Sequence, residues 1–475
     1  MAKINIKIEG IPYQVDEGMT ILEAAKACGY EIPSLCAYNH GECSKGSCRV
    51  CLVEVTGARG LVASCVYPVN EGMEITISSP KAVAARRASV ELLLSNHSMK
   101  CQQCDKNEYC ELLYAAKVTG AREDMFRGSQ TPVTIDRLTP SIVRDTSKCV
   151  LCGRCVERCK NAHGKGVLGF EKRGFNTIVA PAENRSFANS PCILCGQCVS
   201  VCPTGALMEK SEIALVDEAM KAGKYVVVQT APAVRAALGE EFGMKIGTAV
   251  TGKMVAALRR LGFKKVFDTN YAADLTIMEE ATELLGRIKN GGQLPMITSC
   301  SPGWINYAEI NYGDLLGHLS SCKSPHEMFG AILKSYYAEA NGIDPKDMFV
   351  VSIMPCTAKK GEKDREQLMT NGLKDVDAVL TTRELAKLIK RSGINFTKLP
   401  DEEFDNDIVG DYTGAGVIFG VTGGVMEAAL RTAYYVLTGK EHEAVKFEVV
   451  RGFDGIKEAM LEVTVRKSGL QLLTV

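Results

Sequence analysis

The alternation of apolar and polar side chains predicts two short strands and a helix near the start of the chain. Residues 3–8 alternate strictly, residues 13–15 do so again after Glu9 and Gly10, and residues 20–28 carry apolar side chains at helical spacing. Two strands joined by a short turn pair as a hairpin. We therefore expect a hairpin followed by a helix within the first 28 residues.

A different pattern begins at about Ile213, where short apolar runs alternate with helical stretches. The β-rich runs lie at 225–229, 265–268, 295–298, 349–354 and 417–421, and the helical stretches include 253–261 and 275–288. This alternation predicts an α/β architecture with largely parallel strands. Functional residues in such folds follow the carboxyl ends of strands, which here are the segments 229–235, 298–304 and 354–360.

Length and charge exclude some classes of protein. The 475 residues correspond to about three domains. The 56 basic and 56 acidic side chains cancel, so the overall charge does not suggest nucleic acid or an anionic membrane as a partner. The first residues contain no apolar signal segment, and the sequence has no run of about 18 apolar residues. We expect a soluble, cytoplasmic protein with no membrane partner.

The 20 cysteines are the main chemical feature of the sequence. In a reducing compartment, so many cysteines indicate metal or redox chemistry more often than disulfides. Seventeen of them lie in four groups within the first 202 residues, and Cys300, Cys322 and Cys356 lie in the remainder. The sequence thus predicts a metal-rich front part and an ordinary globular back part.

The last two groups repeat the spacing C-x2-C-x2-C-x3-C. In two-cluster ferredoxins this spacing wraps three thiolates around one 4Fe-4S cluster, while the fourth cysteine binds the other cluster. We therefore assign one cluster to Cys149, Cys152, Cys155 and Cys202, and a second to Cys192, Cys195, Cys198 and Cys159. A pair of zinc sites is the alternative, but zinc sites usually show two C-x2-C pairs rather than a triplet with a distant fourth ligand.

The first group follows the predicted helix and offers ligands for a 2Fe-2S cluster. The set is Cys36, Cys48, Cys51 and Cys65. Cys43 competes with Cys36, because Cys43 to Cys51 also fits the plant-type spacing. We favour Cys36. Cys28, on the apolar face of the helix, is expected to be a buried small side chain.

The second group contains three cysteines, and a histidine precedes it. His97, Cys101, Cys104 and Cys110 lie at ligand spacing, and a neutral imidazole can complete a 4Fe-4S site. Zinc bound by three cysteines and a histidine is the alternative. The neighbouring iron-sulfur motifs favour iron. The sequence thus predicts one 2Fe-2S and three 4Fe-4S clusters, an arrangement suited to moving single electrons between distant sites.

A glycine-rich stretch from 413 to 427 could hold a phosphate at the start of a helix. Its glycines do not follow the spacing of a dinucleotide-binding loop. We therefore expect nicotinamide and flavin to be bound elsewhere.

The chain as a whole resembles the large subunit of iron-only (di-iron) hydrogenases, especially the form found in electron-bifurcating complexes. The resemblance rests on the cluster motifs together with Thr298-Ser299-Cys300, Met354-Pro355-Cys356 and the run 419–431. It implies an α+β and α/β multidomain protein. The implied parts are a β-grasp 2Fe-2S ferredoxin domain (1–79), a 4Fe-4S domain with one-histidine three-cysteine ligation (80–140), a two-cluster 4Fe-4S ferredoxin domain (141–210) and an α/β hydrogenase-like domain (211–475).

The resemblance fails at the H-cluster, the active centre of the family, which four cysteines hold. The family has a proton-relaying cysteine followed by a ligand cysteine, and here these are Cys300 and Ser301. A second ligand is present as Cys356, and Lys359 with Glu362 matches the motif around the di-iron pocket. The last two family ligands lie in a segment that this sequence, ending at Val475, does not reach. We expect no functional H-cluster.

Other residues match the family's proton path to Cys300, namely Glu280, Glu283 and Ser320. Without a cluster to serve, we interpret them as residues that hold the fold.

The resemblance implies an iron-sulfur electron-transfer subunit of a flavin-based, electron-bifurcating NAD(P)H and ferredoxin oxidoreductase of the transhydrogenase type. FMN and NAD(P) would lie on partners: a flavin- and NAD(P)H-binding iron-sulfur subunit and a small thioredoxin-like 2Fe-2S subunit, with ferredoxin as a further partner in a hetero-oligomer. The alternatives are the catalytic subunit of a bifurcating hydrogenase in truncated form, and a redox sensor.

Overall fold

The computed structural model describes residues 2–38, 43–126, 128–441, 445, 447–450, 455–465 and 469–474, with the backbone alone from 461 onward. The chain divides into two compact units, Met1–Lys210 and Ser211–Val475. None of the helices in these described stretches is long and apolar enough to cross a bilayer.

The first unit begins with a five-stranded sheet and one helix. Its elements are β1 (Lys3–Ile8), β2 (Ile11–Asp16), α1 (Ile21–Ala27), β3 (Leu52–Val55), β4 (Val62–Ala63) and β5 (Met73–Thr76), in the sheet order β2-β1-β5-β3-β4. Alternation along β1 buries Ile4, Ile6 and Ile8 against Ala24 and Ala25 of α1. Thr20 and Glu23 form a reciprocal capping box that starts α1. The predicted hairpin and helix are confirmed.

Two helices follow, α2 (Pro80–Ser95) and α3 (Glu111–Thr119), and they pack against each other. The rest of the first unit contains β6 (Ile135–Asp136), β7 (Ile142–Asp145), α4 (Arg154–His163), β8 (Gly169–Glu171), β9 (Ile178–Ala180), α5 (Gln197–Val201) and β10 (Leu207–Glu209). Strand β7 lies between β10 and β6 in a three-stranded antiparallel sheet. This sheet forms one wall of the region that carries the last two cysteine groups.

The second unit is built on a parallel four-stranded sheet with the order β12-β11-β13-β14. The elements that lead to and include it are α6 (Ile213–Lys221), β11 (Tyr225–Thr230), α7 (Val234–Ala237), α8 (Thr251–Arg260), β12 (Lys265–Asp268), α9 (Asn270–Asn290), α10 (Pro302–Asn311), α11 (Pro325–Ile332), α12 (Ala338–Ala340), β13 (Met348–Met354), α13 (Lys359–Glu362), β14 (Ala378–Thr381) and α14 (Thr382–Arg391). The buried apolar strands form the centre of the largest core.

The later elements of the second unit are α15 (Gly414–Phe419), α16 (Gly424–Thr438), β15 (Glu448–Val449), β16 (Lys457–Glu458), β17 (Met460–Val465) and β18 (Gly469–Thr474). Helices α15 and α16 both pack against α9. Strands β15 with β16, and β17 with β18, form two separate antiparallel pairs. The α/β class and the multidomain arrangement predicted from the sequence are confirmed.

Two predicted strands are wrong. The run 417–421 falls largely within helix α15, which Thr413 caps by accepting a hydrogen bond from Ala415. A short apolar run is compatible with either a strand or a buried helix. Here the Thr413 cap favours the helix. The run 295–298 makes a single bridge, between Ile297 and Leu319. The fourth strand of the sheet, β14, was missed.

The glycine-rich stretch serves close packing. A Cβ on Gly416 would come 2.6 Å from the carbonyl oxygen of Asn270 on α9, and a Cβ on Gly424 would overlap the carbonyl oxygen of Ile418. These glycines therefore allow α15 and α16 to approach their neighbours closely. Packing thus accounts for their presence without a phosphate.

Candidate metal centres

The last two cysteine groups line two separate cavities. One is bounded by Cys149, Cys152, Cys155 and Cys202 together with residues of β7. The other is bounded by Cys159, Cys192, Cys195 and Cys198. The fourth cysteine of each run therefore lies at the cavity formed by the other run. This is the crossed arrangement that the spacing predicts.

The two cysteine loops have the same backbone conformation, which explains how each gathers three thiols. Leu151 and Leu194, at equivalent positions, have φ of 52° and 59°. Gly153 and Gly196, also equivalent, have φ of 79° and 73° and precede the helices α4 and α5. Leucine rarely adopts this left-handed conformation, so both loops are held in a strained form that turns the chain around a common centre.

The chemistry of these thiols fits iron-sulfur ligation. Burial raises the pKa of the Cys155 and Cys198 thiols well above their ordinary value of 9.0. A thiolate in such a place needs a neighbouring positive charge, which a bound metal supplies. All twenty cysteines lie in the described part of the chain, and none of them is in a disulfide.

The four predicted 2Fe-2S ligands come together between α1 and β5. The Cys36 thiol lies close enough to the thiols of Cys48 and Cys65 to interact with both, and the Cys51 thiol interacts with that of Cys65. All four side chains are buried. The interactions with Cys65, opposed by burial, lower the pKa of Cys51 to about 6. These contacts make a single four-thiol site.

Cys43 and Cys28 lie apart from these contacts. The Cys43 backbone pairs with Tyr38, and burial raises the pKa of its thiol, which interacts with Lys45, Glu157 and Cys36 through charge alone. Cys28 ends α1 and packs half-buried against the core, as expected for a small apolar side chain. Among the described residues, the Cys36 thiol therefore contacts other thiols of the predicted set, and the Cys43 thiol does not.

His97 follows the end of α2 and is 8% exposed. Its Nδ1 atom is buried and has no hydrogen-bond partner in the described structure. Burial and the nearby Lys148 lower the pKa of His97 to about 4, so the ring is neutral at physiological pH. A neutral imidazole with an unpaired nitrogen is the form that binds a metal.

The thiols of the second cysteine group interact with one another. Cys101 lies on a short 3-10 turn, Cys110 caps α3, and charge interactions link both with Cys104. Gly205 lies against Cys104, since a Cβ there would be 2.6 Å from the Cys104 Sγ. A glycine is thus required where the two-cluster region meets this group.

The residues predicted from the resemblance to surround the H-cluster, Cys300, Ser301, Cys356 and Lys359, lie in the second unit. Cys356 follows β13, and Ser301 caps α10 and is exposed. The Lys359 ammonium donates to the Cys300 carbonyl oxygen at 3.0 Å and to Glu362 at 2.7 Å. Burial raises the pKa of the Cys300 thiol. Lys359 therefore connects the loop of Cys300 with helix α13.

The structure brings together part of the predicted proton path. The Ser320 hydroxyl donates to Glu283 at 3.1 Å, and Arg287 holds the same carboxylate at 2.5 Å. Glu280 is buried, its oxygens accept no hydrogen bond of normal geometry within the described structure, and burial raises its pKa to about 7. Glu283 is thus fixed as an ion pair, while Glu280 is able to gain or lose a proton near neutral pH.

Sequence reasoning missed several polar residues around Glu283 and Glu362. Cys322 donates to Glu283 at 3.6 Å. His326 hydrogen-bonds to Glu362 at 2.6 Å and to Ser352 at 3.1 Å, and its Nε2 lies 3.2 Å from Glu327. They come from separate elements and follow no motif. The one local indication was the Ser324-Pro325 start of helix α11.

Four known families match successive parts of the chain. The 2Fe-2S iron-sulfur cluster binding domain matches residues 1–80, and the NADH-ubiquinone oxidoreductase-G iron-sulfur binding region matches 86–124. The 4Fe-4S dicluster domain matches 148–206. The C-terminal domain of the iron-only hydrogenase large subunit matches 224–473.

Individual proteins with similar sequences belong to the same kind of protein as these family matches indicate. The chain is 50% identical over 474 residues to the NADP-reducing hydrogenase subunit HndD of Solidesulfovibrio fructosivorans, covering 98% of this chain and 81% of that protein. It is 45% identical over 471 residues to iron hydrogenase 1 of Clostridium pasteurianum, covering 98% and 82%. A solved FeFe hydrogenase, studied for oxygen inactivation of its H cluster, is 44% identical with a TM-score of 0.50, covering 55% of this chain and 66% of that one. The chain thus spans slightly less than two thirds of that solved chain.

Proposed function

The chain belongs to the family of iron-only hydrogenase large subunits, and on this premise we propose that it is an electron-transfer subunit without a hydrogenase centre of its own. In this proposal it belongs to a flavin-based, electron-bifurcating NAD(P)H and ferredoxin oxidoreductase of the transhydrogenase type. Its partners are a flavin- and NAD(P)H-binding iron-sulfur subunit, a small thioredoxin-like 2Fe-2S subunit and ferredoxin. It works in the cytoplasm as part of a hetero-oligomer.

The observation that carries the proposal is Ser301 beside Cys300. Iron-sulfur clusters are held by thiolates, and a serine hydroxyl keeps its proton at physiological pH, so it is a poor substitute. Ser301 is also exposed, unlike the buried cysteines of the first unit. A relative named as a subunit of an NADP-reducing hydrogenase supports a multi-subunit setting with a nicotinamide partner.

In this proposal the first unit holds four clusters, which supply one-electron transfer. Cys36, Cys48, Cys51 and Cys65 hold the 2Fe-2S cluster, and His97, Cys101, Cys104 and Cys110 hold a 4Fe-4S cluster. The crossed sets around Cys202 and Cys159 hold the other two. The protein contributes the ligands, their burial and the surrounding charges. The proposed domains are residues 1–79, 80–140, 141–210 and 211–475.

A genuine hydrogenase is the second candidate, because several matching residues persist. Cys300, Cys356 and Lys359 are present, and Lys359 contacts the loop that carries Cys300. Glu280 with its raised pKa is also suited to proton transfer.

Infrared spectroscopy of the purified complex separates the two candidates. Carbonyl and cyanide stretches together with hydrogen evolution would reject the first proposal and support the second. Their absence with electron transfer from NAD(P)H to ferredoxin supports the first. Iron content is the companion measurement, since four clusters amount to about 14 iron atoms per chain and an H-cluster adds about six. Replacing Ser301 by Cys should leave the infrared spectrum unchanged if the domain lacks the di-iron centre altogether.

A further inference from the structure

Arg144 on β7 is a buried cation in the wall of the cavity bounded by Cys149, Cys152, Cys155 and Cys202. It is 2% exposed. Its guanidinium donates to the Val179 carbonyl oxygen at 3.4 Å, and its Nε has no hydrogen-bond partner among the described residues. A buried arginine with so few partners is unusual, because desolvation penalises an unpaired charge.

No carboxylate neutralises this guanidinium within the described structure. Asp136 lies opposite Arg144 in the β6–β7 register and interacts with it through charge. The Asp136 carboxylate is engaged elsewhere, accepting hydrogen bonds from Leu138, Ser186 and Phe187 at 2.8–3.2 Å. Asp145 lines the same cavity, but its carboxylate pairs with Lys148 at 3.2 Å. Arg144 therefore has no ion-pair partner of its own among the described residues.

The charge lies beside one of the cysteines of the cavity. Arg144 and Cys149 line the same cavity and interact electrostatically. Arginine stays charged even when buried, because the ordinary pKa of its guanidinium is 12.5, far above physiological pH. A fixed buried charge is also screened little by salt.

The second cavity differs in its charged residues although its backbone is alike. It is lined by His163 and Lys165 beside Cys159 and Cys192, and its described lining residues include no arginine. His163 is exposed and Lys165 half-buried, so solvent and salt screen their effect. The two sites thus differ: the wall of the first cavity carries the buried cation Arg144, whereas the second has the half-buried Lys165 and the exposed His163.

We propose that Arg144 raises the reduction potential of the 4Fe-4S cluster at Cys149, Cys152, Cys155 and Cys202 above that of its twin, making it the stronger electron acceptor of the two. The inference rests on the proposed function, because it needs the two-cluster region to bind its clusters. An added electron makes a cluster more negative, and a nearby buried cation stabilises that state.

The test uses the full chain in its complex, with the variants Arg144→Met and Arg144→Gln and the control Arg137→Met. Arg137 is exposed and lies on the same hairpin, so its loss removes an equal but screened charge. Redox titration followed by electron paramagnetic resonance measures the midpoint potentials. We expect either Arg144 variant to shift one of the three 4Fe-4S signals to a more negative potential and leave the other two in place. Arg137→Met should shift neither.

Iron content distinguishes the two ways of failing. Full iron with unshifted potentials in the Arg144 variants overturns the role of Arg144 alone. A wild-type preparation without the 4Fe-4S signals of the two-cluster region overturns the cluster assignment and the proposed function. If both Arg144 variants lose iron, the inference is tested instead by the salt dependence of the two midpoint potentials in the wild-type protein. The higher potential should then stay constant with ionic strength while the lower one moves, and equal movement of both overturns the inference.

Discussion

The guanidinium of Arg154 and the carboxylate of Glu111 meet in a two-point ion pair, with both N···O distances at 2.7 Å. The pair joins α4 of the two-cluster region to α3 of the preceding one. Its arginine side chain is 4% exposed and its glutamate 44%. Arg154 also lies over the ring of Tyr38, 5.7 Å from its centroid. The buried Arg154 side chain on α4 thus contacts two other parts of the first unit, α3 and the segment of Tyr38.

Replacing Glu111 by Gln should destabilise the first unit, because it leaves the buried Arg154 without a counter-charge. We expect a loss of about 1–2 kcal/mol, below the range for fully buried pairs since Glu111 is partly exposed. Thermal unfolding followed by the visible absorbance of the clusters measures it. Glu183→Gln is the control, because its pair with Arg185 is 73% and 57% exposed and should contribute nothing measurable. Equal effects of the two variants would contradict the structural role of Arg154.

Cys36 and Cys43 offer a matched test of the 2Fe-2S ligands. Cys36→Ala removes a thiol that contacts Cys48 and Cys65, so we expect loss of the 2Fe-2S signal and of about two iron atoms per chain. Cys43→Ala should keep both, because the Cys43 thiol interacts with the site by charge alone. Iron analysis and electron paramagnetic resonance measure the outcome, and the reverse pattern would exchange the two assignments.

Gly205→Ala should weaken the cluster at His97, Cys101, Cys104 and Cys110. The new Cβ would lie 2.6 Å from the Cys104 Sγ, so either the thiol or the loop must move. We expect up to about four iron atoms per chain to be lost while the other clusters remain. Gly60→Ala is the control, since a Cβ there meets nothing within 4 Å. Unchanged iron content in Gly205→Ala would show that Cys104 is not constrained in this way.

Glu327 should make the second unit less stable as the pH rises. Burial and the nearby Glu362 raise its pKa to about 8, against an ordinary 4.5, so the folded state holds a proton that the unfolded state has released. Its stabilising contribution is complete below about pH 4.5 and is lost as the pH rises through 8. Glu327→Gln mimics the protonated acid and should therefore gain on the order of 1–3 kcal/mol at pH 8.5 relative to pH 5.

Urea unfolding followed by the fluorescence of Trp304, the single tryptophan of the chain, measures this difference. Glu339→Gln, an exposed position on α12, serves as the control and should leave the pH profile unchanged. A parallel profile for Glu327→Gln and the wild type would mean that Glu327 is ionised in the folded protein.

Much of the site could be predicted from sequence, because ligand spacing is a local property. The two C-x2-C-x2-C-x3-C runs predicted the crossed cysteine sets that line the two cavities. The strands at 225–229, 265–268 and 349–354 were predicted because apolar runs of that length are characteristic of a buried parallel sheet. The run 417–421 failed because the cap at Thr413, rather than periodicity, set its conformation.

The sequence by itself determined which cysteines lie at ligand spacing and in what order, since a few covalent bonds fix the reach between neighbouring cysteines. Only the tertiary structure decided what surrounds them. The burial of Arg144 beside one cavity, the pairing of Arg154 with Glu111 and the contact of His326 with Glu362 each join residues from separate elements. Such contacts depend on how distant strands and helices pack, and packing at that range leaves no pattern in the spacing along the chain.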